Sequence, residues 1–251
     1  MCPPMTSRTC STRCDLSGKG ERLGASPPFL MRLMYTLGLD PSLRNFGWLI
    51  HNSSALGSDR VVARGRWQTS SKTVWVERYV ALRQHLLDLI DQYPLIENVG
   101  VESPPFGDAQ WTEGLYALFL MVNEALWIKR KDVVYFDPGT VKMLAKEDPS
   151  VRKGKMFKSD MIDAAKADTG IGRWSSDEAD AYHVARYAAR FWKLFEGGLI
   201  EEDLTPSERK AFTSIHTFKR GKKAGLTIMK GALYKENKRF FRFSLLDSER
   251  T

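Results

Sequence analysis

The order in which strand-like and helix-like segments follow one another is the feature that most constrains the fold of this chain. Three segments with strand patterns come first and are joined by short turns, which predicts a meander. Helical and strand segments then alternate, and this alternation requires crossover connections between parallel strands. The sequence therefore predicts an α/β fold with a mixed five-stranded sheet, a three-strand meander plus parallel strands, flanked by helices.

The apolar patterns give the bounds of these predicted elements. The strands are expected at residues 35–40, 46–51, 60–69, 97–102 and 132–137. The helices are expected at about 72–92, 112–128, 138–146, 159–167 and 176–194. One more short helix is predicted after Leu204, because Thr205, Pro206 and Glu208 fit its N-cap, first and third positions.

Composition divides the 251-residue chain into three predicted parts. Residues 1–30 are rich in Ser, Thr, Pro and Gly without an apolar period, which predicts a disordered N-terminal extension. Residues 31–196 carry the α/β pattern and form the predicted main domain. The composition changes after Gly197 and Gly198, so residues 197–251 are predicted to be a basic C-terminal extension.

Composition also excludes several classes of protein. No run of about 18 apolar residues exists, so we expect neither a membrane span nor a membrane partner, and the N-terminus lacks the apolar core of a signal peptide. Cys2, Cys10 and Cys14 are the three cysteines, which excludes a disulfide scaffold and a four-ligand zinc pattern. This cysteine usage predicts a reducing, cytoplasmic location, with an organelle as the second option.

The formal net charge of +8 is concentrated near the C-terminus. Residues 31–189 hold 20 basic and 20 acidic residues, whereas residues 218–242 hold nine basic residues and one acid, Glu236. A basic stretch of this kind is typical of polyanion binding, because neutralised phosphates release counterions. The alternative is a solvated tail that only keeps the protein soluble.

Four carboxylates stand where the predicted elements converge. Asp40 and Glu102 end the first and fourth strands, and Asp177 and Asp180 share one face of the last core helix. Adjacent strand ends and a helix start can meet in one crevice of an α/β sheet. Clustered carboxylates repel one another unless a cation compensates their charge, and Mg²⁺ or Mn²⁺ prefers oxygen ligands. Two such ions can activate a water and stabilise the leaving oxygen of a phosphodiester.

Each carboxylate also has a simpler structural interpretation. Asp40 precedes Pro41 and could cap a turn. Ser175 and Glu178 fit a capping box, in which Asp177 would only complement the helix dipole. Glu102 could be an ordinary exposed acid at a strand end.

Three motifs, in order and on the expected elements, resemble those of RuvC-type Holliday junction resolvases, which have an RNase H-like fold. LGLD at 37–40 followed by PSLRNFGW resembles the opening strand and turn of that family. VGVE at 99–102 followed by Phe106 is similar to the second acidic motif, and DEADA at 177–181 to the closing helix. The resemblance covers about residues 33–195.

The resemblance implies a homodimeric endonuclease that cuts branched DNA at four-way junctions during recombination and repair. It implies that two Mg²⁺ or Mn²⁺ ions are held by Asp40, Glu102, Asp177 and Asp180. It also implies that Lys158 assists catalysis, and that Lys142 and Lys158 lie near the scissile strand while Phe106 stacks on a base. The alternatives are plain surface lysines and an aromatic side chain packed within its loop.

The basic extension has no counterpart in that family, and we expect it to bind DNA. Its candidate contacts are Lys219, Arg220, Lys222, Lys223, Lys238, Arg239 and Arg242. Three phenylalanines lie among the last three of these basic residues and could stack on bases, namely Phe240, Phe241 and Phe243. The alternative is a small β-hairpin that uses the same phenylalanines for packing.

Three rival hypotheses share parts of this pattern. An RNA-processing nuclease of the same fold would use the same carboxylates on another substrate, and a non-catalytic protein would bind junctions without cutting them. An actin-like ATPase or sugar kinase would need a second glycine-rich phosphate motif and a longer chain, and the sequence has neither.

Overall fold

The computed structural model describes residues 35–103, 113–147 and 157–213, together with four short strands between residues 215 and 241. The strands are β1 (Tyr35–Asp40), β2 (Asn45–Asn52), β3 (Val61–Gln68), β4 (Ile96–Glu102), β5 (Asp132–Phe136), β6 (Ile215–Thr217), β7 (Thr227–Met229), β8 (Leu233–Glu236) and β9 (Arg239–Phe241). The helices are α1 (Trp75–Gln92), α2 (Glu113–Ile128), α3 (Pro138–Ala145), α4 (Lys158–Thr169), α5 (Ser176–Phe195) and α6 (Pro206–Thr213).

The predicted mixed five-stranded sheet is confirmed. Strands β1, β2 and β3 form an antiparallel meander, and β4 and β5 add in parallel on the other side of β1. The main sheet has the order β3-β2-β1-β4-β5-β8-β9, so the hairpin of β8 and β9 extends the five strands beyond β5. These two strands are only four and three residues long, and so short a segment carries no readable alternation.

Two layers of helices cover the sheet. The large aliphatic side chains of one face pack with α1 and α2 in one core cluster, and this cluster includes Leu37, Leu39, Val99 and Val101. Helix α5 packs across β1, β2 and β4 on the opposite face. This opposite core also contains α3, α4 and α6 side chains, with Tyr182, Tyr187 and Trp192 of α5 almost wholly buried. The site described below lies at the end of the α5 layer.

Part of the predicted extension belongs to this second core. Leu204 and Phe212 are buried against the α5 layer, and the predicted cap of α6 is confirmed. The Thr205 hydroxyl accepts a hydrogen bond from the Glu208 backbone N–H at 3.2 Å, and the Glu208 carboxylate accepts one from the Thr205 N–H at 3.0 Å. The domain bounds themselves stay a prediction. No helix in the described part of the chain is long and apolar enough to cross a membrane.

Candidate active site

Two carboxylates end adjacent parallel strands at one edge of the sheet. Asp40 is the last residue of β1, and Glu102 is the last residue of β4. The register pairs Leu39 with Val101, so the two acidic residues that follow are neighbours on strands about 4.8 Å apart. Side chains alternate along a strand, so both carboxylates share the face that α5 covers. The strand ends and the register alone therefore bring these two groups together.

Helix α5 comes close to this edge because three strands carry glycine where it crosses. A Cβ at Gly38 would lie 2.1 Å from the carbonyl oxygen of Ala181, and a Cβ at Gly47 would lie 2.2 Å from that of Asp177. Gly100 on β4 has similarly little space. A side chain at these positions would push the helix away, so glycine sets the distance between α5 and the strand carboxylates.

The N-terminal part of α5 presents Asp177 and Asp180 without using either to cap the helix. The Ser175 hydroxyl accepts a hydrogen bond from the Glu178 N–H at 3.3 Å, and the Glu178 carboxylate accepts one from the Ser175 N–H at 2.9 Å. Asp177 is 8% exposed, and Asp180 is half-buried. Because other residues make the capping bonds, both aspartates remain available at the edge that holds Asp40.

The four acidic groups are linked by the effect of their charges on one another. Burial, followed by the charges of Asp180 and Asp177, raises the pKa of Asp40 from its ordinary 3.8 to about 8. Burial, followed by the charges of Asp40 and Asp180, raises the pKa of Glu102 well above its ordinary value. Burial is also the main reason that the pKa of Asp180 rises to about 6. Asp40, Glu102 and Asp180 thus resist ionisation, partly because their neighbours are acidic.

A divalent cation would relieve this repulsion, and the donor set suits one. Carboxylate oxygens are the ligands that Mg²⁺ and Mn²⁺ prefer, and a bound cation reverses the cost of ionising them together. Among the described residues, no three acidic, histidine or cysteine side chains already converge closely enough to hold an ion. The side chains would therefore have to draw together around the metal. The chemistry of the residues present fits the ion that the sequence predicts.

The two predicted lysines lie within electrostatic reach of the cluster. Lys158 is the first residue of α4, and its charge opposes the rise in pKa of Asp40 and Asp180. Lys142 lies in α3, and its charge opposes the rise in pKa of Glu102 and Asp180. The structure thus brings both lysines toward the four carboxylates. Their part in binding or cleavage stays a prediction.

A fifth carboxylate, Asp137, was missed in the sequence analysis. It caps α3 by accepting hydrogen bonds from the Gly139 N–H at 2.8 Å and the Thr140 N–H at 3.2 Å, and its charge also helps to raise the pKa of Glu102. An aspartate before Pro138 is the usual pattern of a helix start, so the sequence gives no sign of a second effect.

A cleft of about 130 Å³ opens beside the strand carboxylates. Its walls combine two acids and one serine with apolar side chains, and the lining residues are Asp40, Pro41, Glu102, Ser103, Leu115, Phe119 and Pro138. This volume is smaller than that of typical small-molecule sites, which measure about 300–1,000 Å³. Asp40 and Glu102 therefore face a cleft at the edge of the sheet.

Comparison with known proteins supports the fold through structure alone. No family model and no curated protein sequence matches the chain. A structure of RuvC from Thermus thermophilus matches with 19% identity and a TM-score of 0.53, over 64% of this chain and 97% of RuvC. Thermus thermophilus RuvC in complex with a Holliday junction substrate matches with 18% identity and a TM-score of 0.52, over 64% and 96%. The chain has a RuvC-like fold. The predicted RNase H-like class is thereby confirmed.

Several predicted contacts lie outside the described residues. Phe106 is one, and the basic residues Lys219, Arg220, Lys222, Lys223, Lys238 and Arg242 are the others. Arg239 begins β9. Their roles in DNA binding all stay predictions. His183, which the sequence places one turn from Asp180, is fully buried with Nε2 3.0 Å from the Met161 carbonyl oxygen.

Proposed function

We propose that this protein is a divalent-metal-dependent endonuclease that cleaves branched DNA and resolves four-way junctions. The observation that carries the proposal is the cluster of four acidic side chains at the ends of β1 and β4 and the start of α5. It occurs in a fold shared with RuvC, one of whose structures contains a Holliday junction substrate. This combination favours nucleic-acid cleavage over binding alone, because a purely binding surface gains nothing from repelling phosphate.

The four carboxylates would hold two Mg²⁺ or Mn²⁺ ions. When bound, the ions activate water and stabilise the leaving oxygen of the phosphodiester. Asp40 would hold the ions together with Asp177 and Asp180, whose charges both raise its pKa. Glu102 would complete the strand side of the site. Their buried surroundings would strengthen the attraction between each carboxylate and a cation, because little water is present to screen the charges.

The two lysines would act on the substrate beside the acidic cluster. Lys142 lies in α3, after β5, and its charge opposes the rise in pKa of Glu102 and Asp180. Lys158 begins α4, and its charge opposes the rise in pKa of Asp40 and Asp180. A lysine ammonium near the scissile phosphate offsets the negative charge that develops during cleavage. We assign this role to Lys158 and assign strand binding to Lys142.

A homodimer would allow two such sites to cut a junction symmetrically. Helix α2 presents an apolar stripe to the outside, in which Tyr116 is 52% exposed, Leu120 51% and Trp127 49%. Spacings of four and seven residues place these side chains along one helical face. Large exposed apolar side chains on one face are typical of a surface that binds a second protein chain, and we assign this one to a second copy.

The test is cleavage by the purified full-length protein of four-way junctions, flaps, linear duplex and the matching RNA substrates. With Mg²⁺ we expect paired nicks in four-way junctions, and with EDTA no cleavage. The variant Asp40→Asn should lose activity on the order of a hundredfold to a thousandfold. The matched control is Asp163→Asn on α4, whose side chain is 72% exposed.

Three outcomes would contradict the proposal. Intact junctions under every metal condition would leave only a binding function, which a gel-shift measurement would reveal. Preferential cleavage of RNA would assign the same site to an RNA-processing nuclease. Equal activity of Asp40→Asn and wild type would mean that the acidic cluster is not where cleavage occurs.

A further inference from the structure

An arginine lies in the same transverse row of the sheet as the strand carboxylates. The register places Asp40 opposite Gly47, and Gly47 opposite Arg66 on the edge strand β3. Arg66 is thus two strands from Asp40, a backbone separation of roughly 10 Å. Because Gly47 has no side chain, the space between the two is occupied by the Asp177 backbone of α5. One row of the sheet therefore carries acids at its centre and a cation at its edge.

Two arginines on this strand have very different surroundings. Arg64 lies 4.1 Å above the Trp174 ring and donates a hydrogen bond of 2.6 Å to the Arg173 carbonyl, and its side chain is 22% exposed. The Arg66 side chain is 44% exposed, and within the described part of the chain its one ionic neighbour is Asp177, 4.0 Å away. That distance is too long for a hydrogen bond. Arg64 is fixed in place, whereas Arg66 keeps its donors available.

The position of Arg66 complements that of Lys142, one of the two predicted lysines. In the order β3-β2-β1-β4-β5, Arg66 lies on the β3 side of the carboxylates, while Lys142 follows β5 on the other side. A nucleic-acid strand laid across this edge would pass a cation, the acidic centre and a second cation. A guanidinium can bind a phosphate through two parallel hydrogen bonds, which an ammonium cannot do.

We propose that Arg66 binds a backbone phosphate next to the scissile one, on the β3 side of the acidic cluster. This inference rests on the proposed nuclease function and adds a substrate contact to it. Its ion pair with Asp177 is weak at 4.0 Å and half exposed, so a phosphate can compete for the guanidinium. Arg66 would thereby fix the direction in which the strand crosses the site.

The experiment measures affinity for a four-way junction at several salt concentrations, with Ca²⁺ replacing Mg²⁺ to prevent cleavage. A lost phosphate contact reduces the steepness of log K against log [salt] by about 0.9. We expect that change in Arg66→Ala, with roughly tenfold weaker binding at low salt. Arg66→Lys should keep most of the slope, because it keeps the charge. The control Arg83→Ala removes a cation from α1, on the opposite layer, and should leave the slope unchanged.

The outcomes separate this inference from the proposed function. If wild type binds and cuts junctions but Arg66→Ala keeps the full salt slope, the phosphate contact is wrong and the nuclease proposal stands. If Arg66→Ala changes only the Mg²⁺ concentration needed for cleavage, Arg66 merely orients Asp177, which also overturns the inference. If wild type neither binds nor cuts any branched DNA, the proposed function fails, and the inference fails with it.

Discussion

The two faces of the central sheet are built in opposite ways. Toward α1 and α2 the strands present large aliphatic side chains, such as Leu37 and Val99, which are completely buried. Toward α5 the same strands present Gly38 and Gly100, and the helix approaches until its backbone nearly touches them. One face gains stability from interdigitated side chains. The other has little side-chain volume beneath α5, and its glycines set the position of the helix.

This difference indicates which face of the sheet can hold the four carboxylates at a defined separation. Asp40 and Glu102 belong to strands, while Asp177 and Asp180 belong to a helix, so their separation depends on how closely these two layers pack. A flexible side chain between them would make that separation variable. Contact between backbones leaves much less freedom, because neither backbone can rotate away. The face with fewer large side chains is therefore the one suited to holding the site.

The largest effect should come from adding one carbon atom to the α5 face. In Gly47→Ala, the new Cβ would lie 2.2 Å from the Asp177 carbonyl oxygen, so the first turn of α5 must move. Because misplacement by about 1 Å can cost a hundredfold in rate, we expect junction cleavage to fall at least that far. Cleavage assays should be combined with thermal melting of the same preparation.

The control for that variant is Gly172→Ala, since nothing lies within 4 Å of the added Cβ. It should melt and cleave like wild type. A Gly47→Ala protein that cleaves at the wild-type rate would show that the site does not depend on close packing of α5 against the strands. A variant that fails to fold would support that dependence, because this face would then tolerate no added volume.

On the opposite face, removal of a large side chain should reduce stability without affecting the site. Leu82 on α1 is completely buried, so Leu82→Ala should lower the free energy of unfolding by about 3 kcal/mol. Urea unfolding measures this loss, and junction cleavage well below the melting temperature should stay at the wild-type rate. Val80→Ala on the same helix is the control, because Val80 is 61% exposed. A large loss of cleavage in Leu82→Ala would show that the two faces are not independent.

The sequence predicted what depends on local patterns. Alternating apolar residues define the strands, and Ser175 with Glu178 marks the start of α5 by residue type and spacing alone. The ends of β1 and β4 are equally local, so Asp40 and Glu102 could be placed at strand ends. Parallel crossovers then bring those ends to one edge. Most of the fold and the positions of the strand carboxylates follow from such rules.

What depends on distant contacts could not be predicted. The pairing of β5 with β8 joins segments about 100 residues apart. No local pattern in the basic stretch at residues 218–242 predicts this pairing. Arg64 and Arg66 look alike in the sequence, yet one is held by Trp174 and the other lies beside Asp177. The raised pKa of Asp40 depends on burial by other elements. These features exist only once the layers have assembled.

A smaller effect should appear at the far end of α5, where α6 packs. Arg190 donates two hydrogen bonds of 2.8 Å to the Glu208 carboxylate, which is 5% exposed and also accepts from the Thr205 backbone. Glu208→Gln should reduce the free energy of unfolding by about 2 kcal/mol, because the guanidinium loses its charged partner. Urea unfolding against Glu201→Gln, a more exposed pair at 3.7 Å, is the measurement.

That variant divides the α5 face into two functional halves. Unchanged cleavage at low temperature would show that the α6 end of α5 contributes stability, while the Asp177 end contributes the site. A Glu208→Gln protein with lost cleavage but full stability would contradict this division, since it would couple the extension to the acidic cluster directly.

The smallest effect concerns pH in the absence of divalent metal. Burial and acidic neighbours raise the pKa of Asp40 to about 8, so the folded protein holds protons that the unfolded chain has already lost. Stability should therefore fall as pH rises from about 6.5 to 8.5, and the melting temperature in EDTA should drop by a few degrees. Below pH 6.5 two buried histidines offset this trend. Burial lowers the pKa of His51 to about 3 and of His183 to about 4, so the unfolded chain binds protons there that the folded protein does not.

Mg²⁺ should remove most of this pH dependence, because a bound cation favours the ionised carboxylates. Asp40→Asn should flatten it in EDTA, and Asp163→Asn should not. The measurement is the melting temperature against pH with and without Mg²⁺. A melting temperature that rises between pH 6.5 and 8.5 in EDTA would mean that the carboxylates do not repel one another in the folded protein. The α5 face would then lack the electrostatic cost that distinguishes it from the aliphatic face, and the proposal that its carboxylates would hold a metal would lose its physical basis.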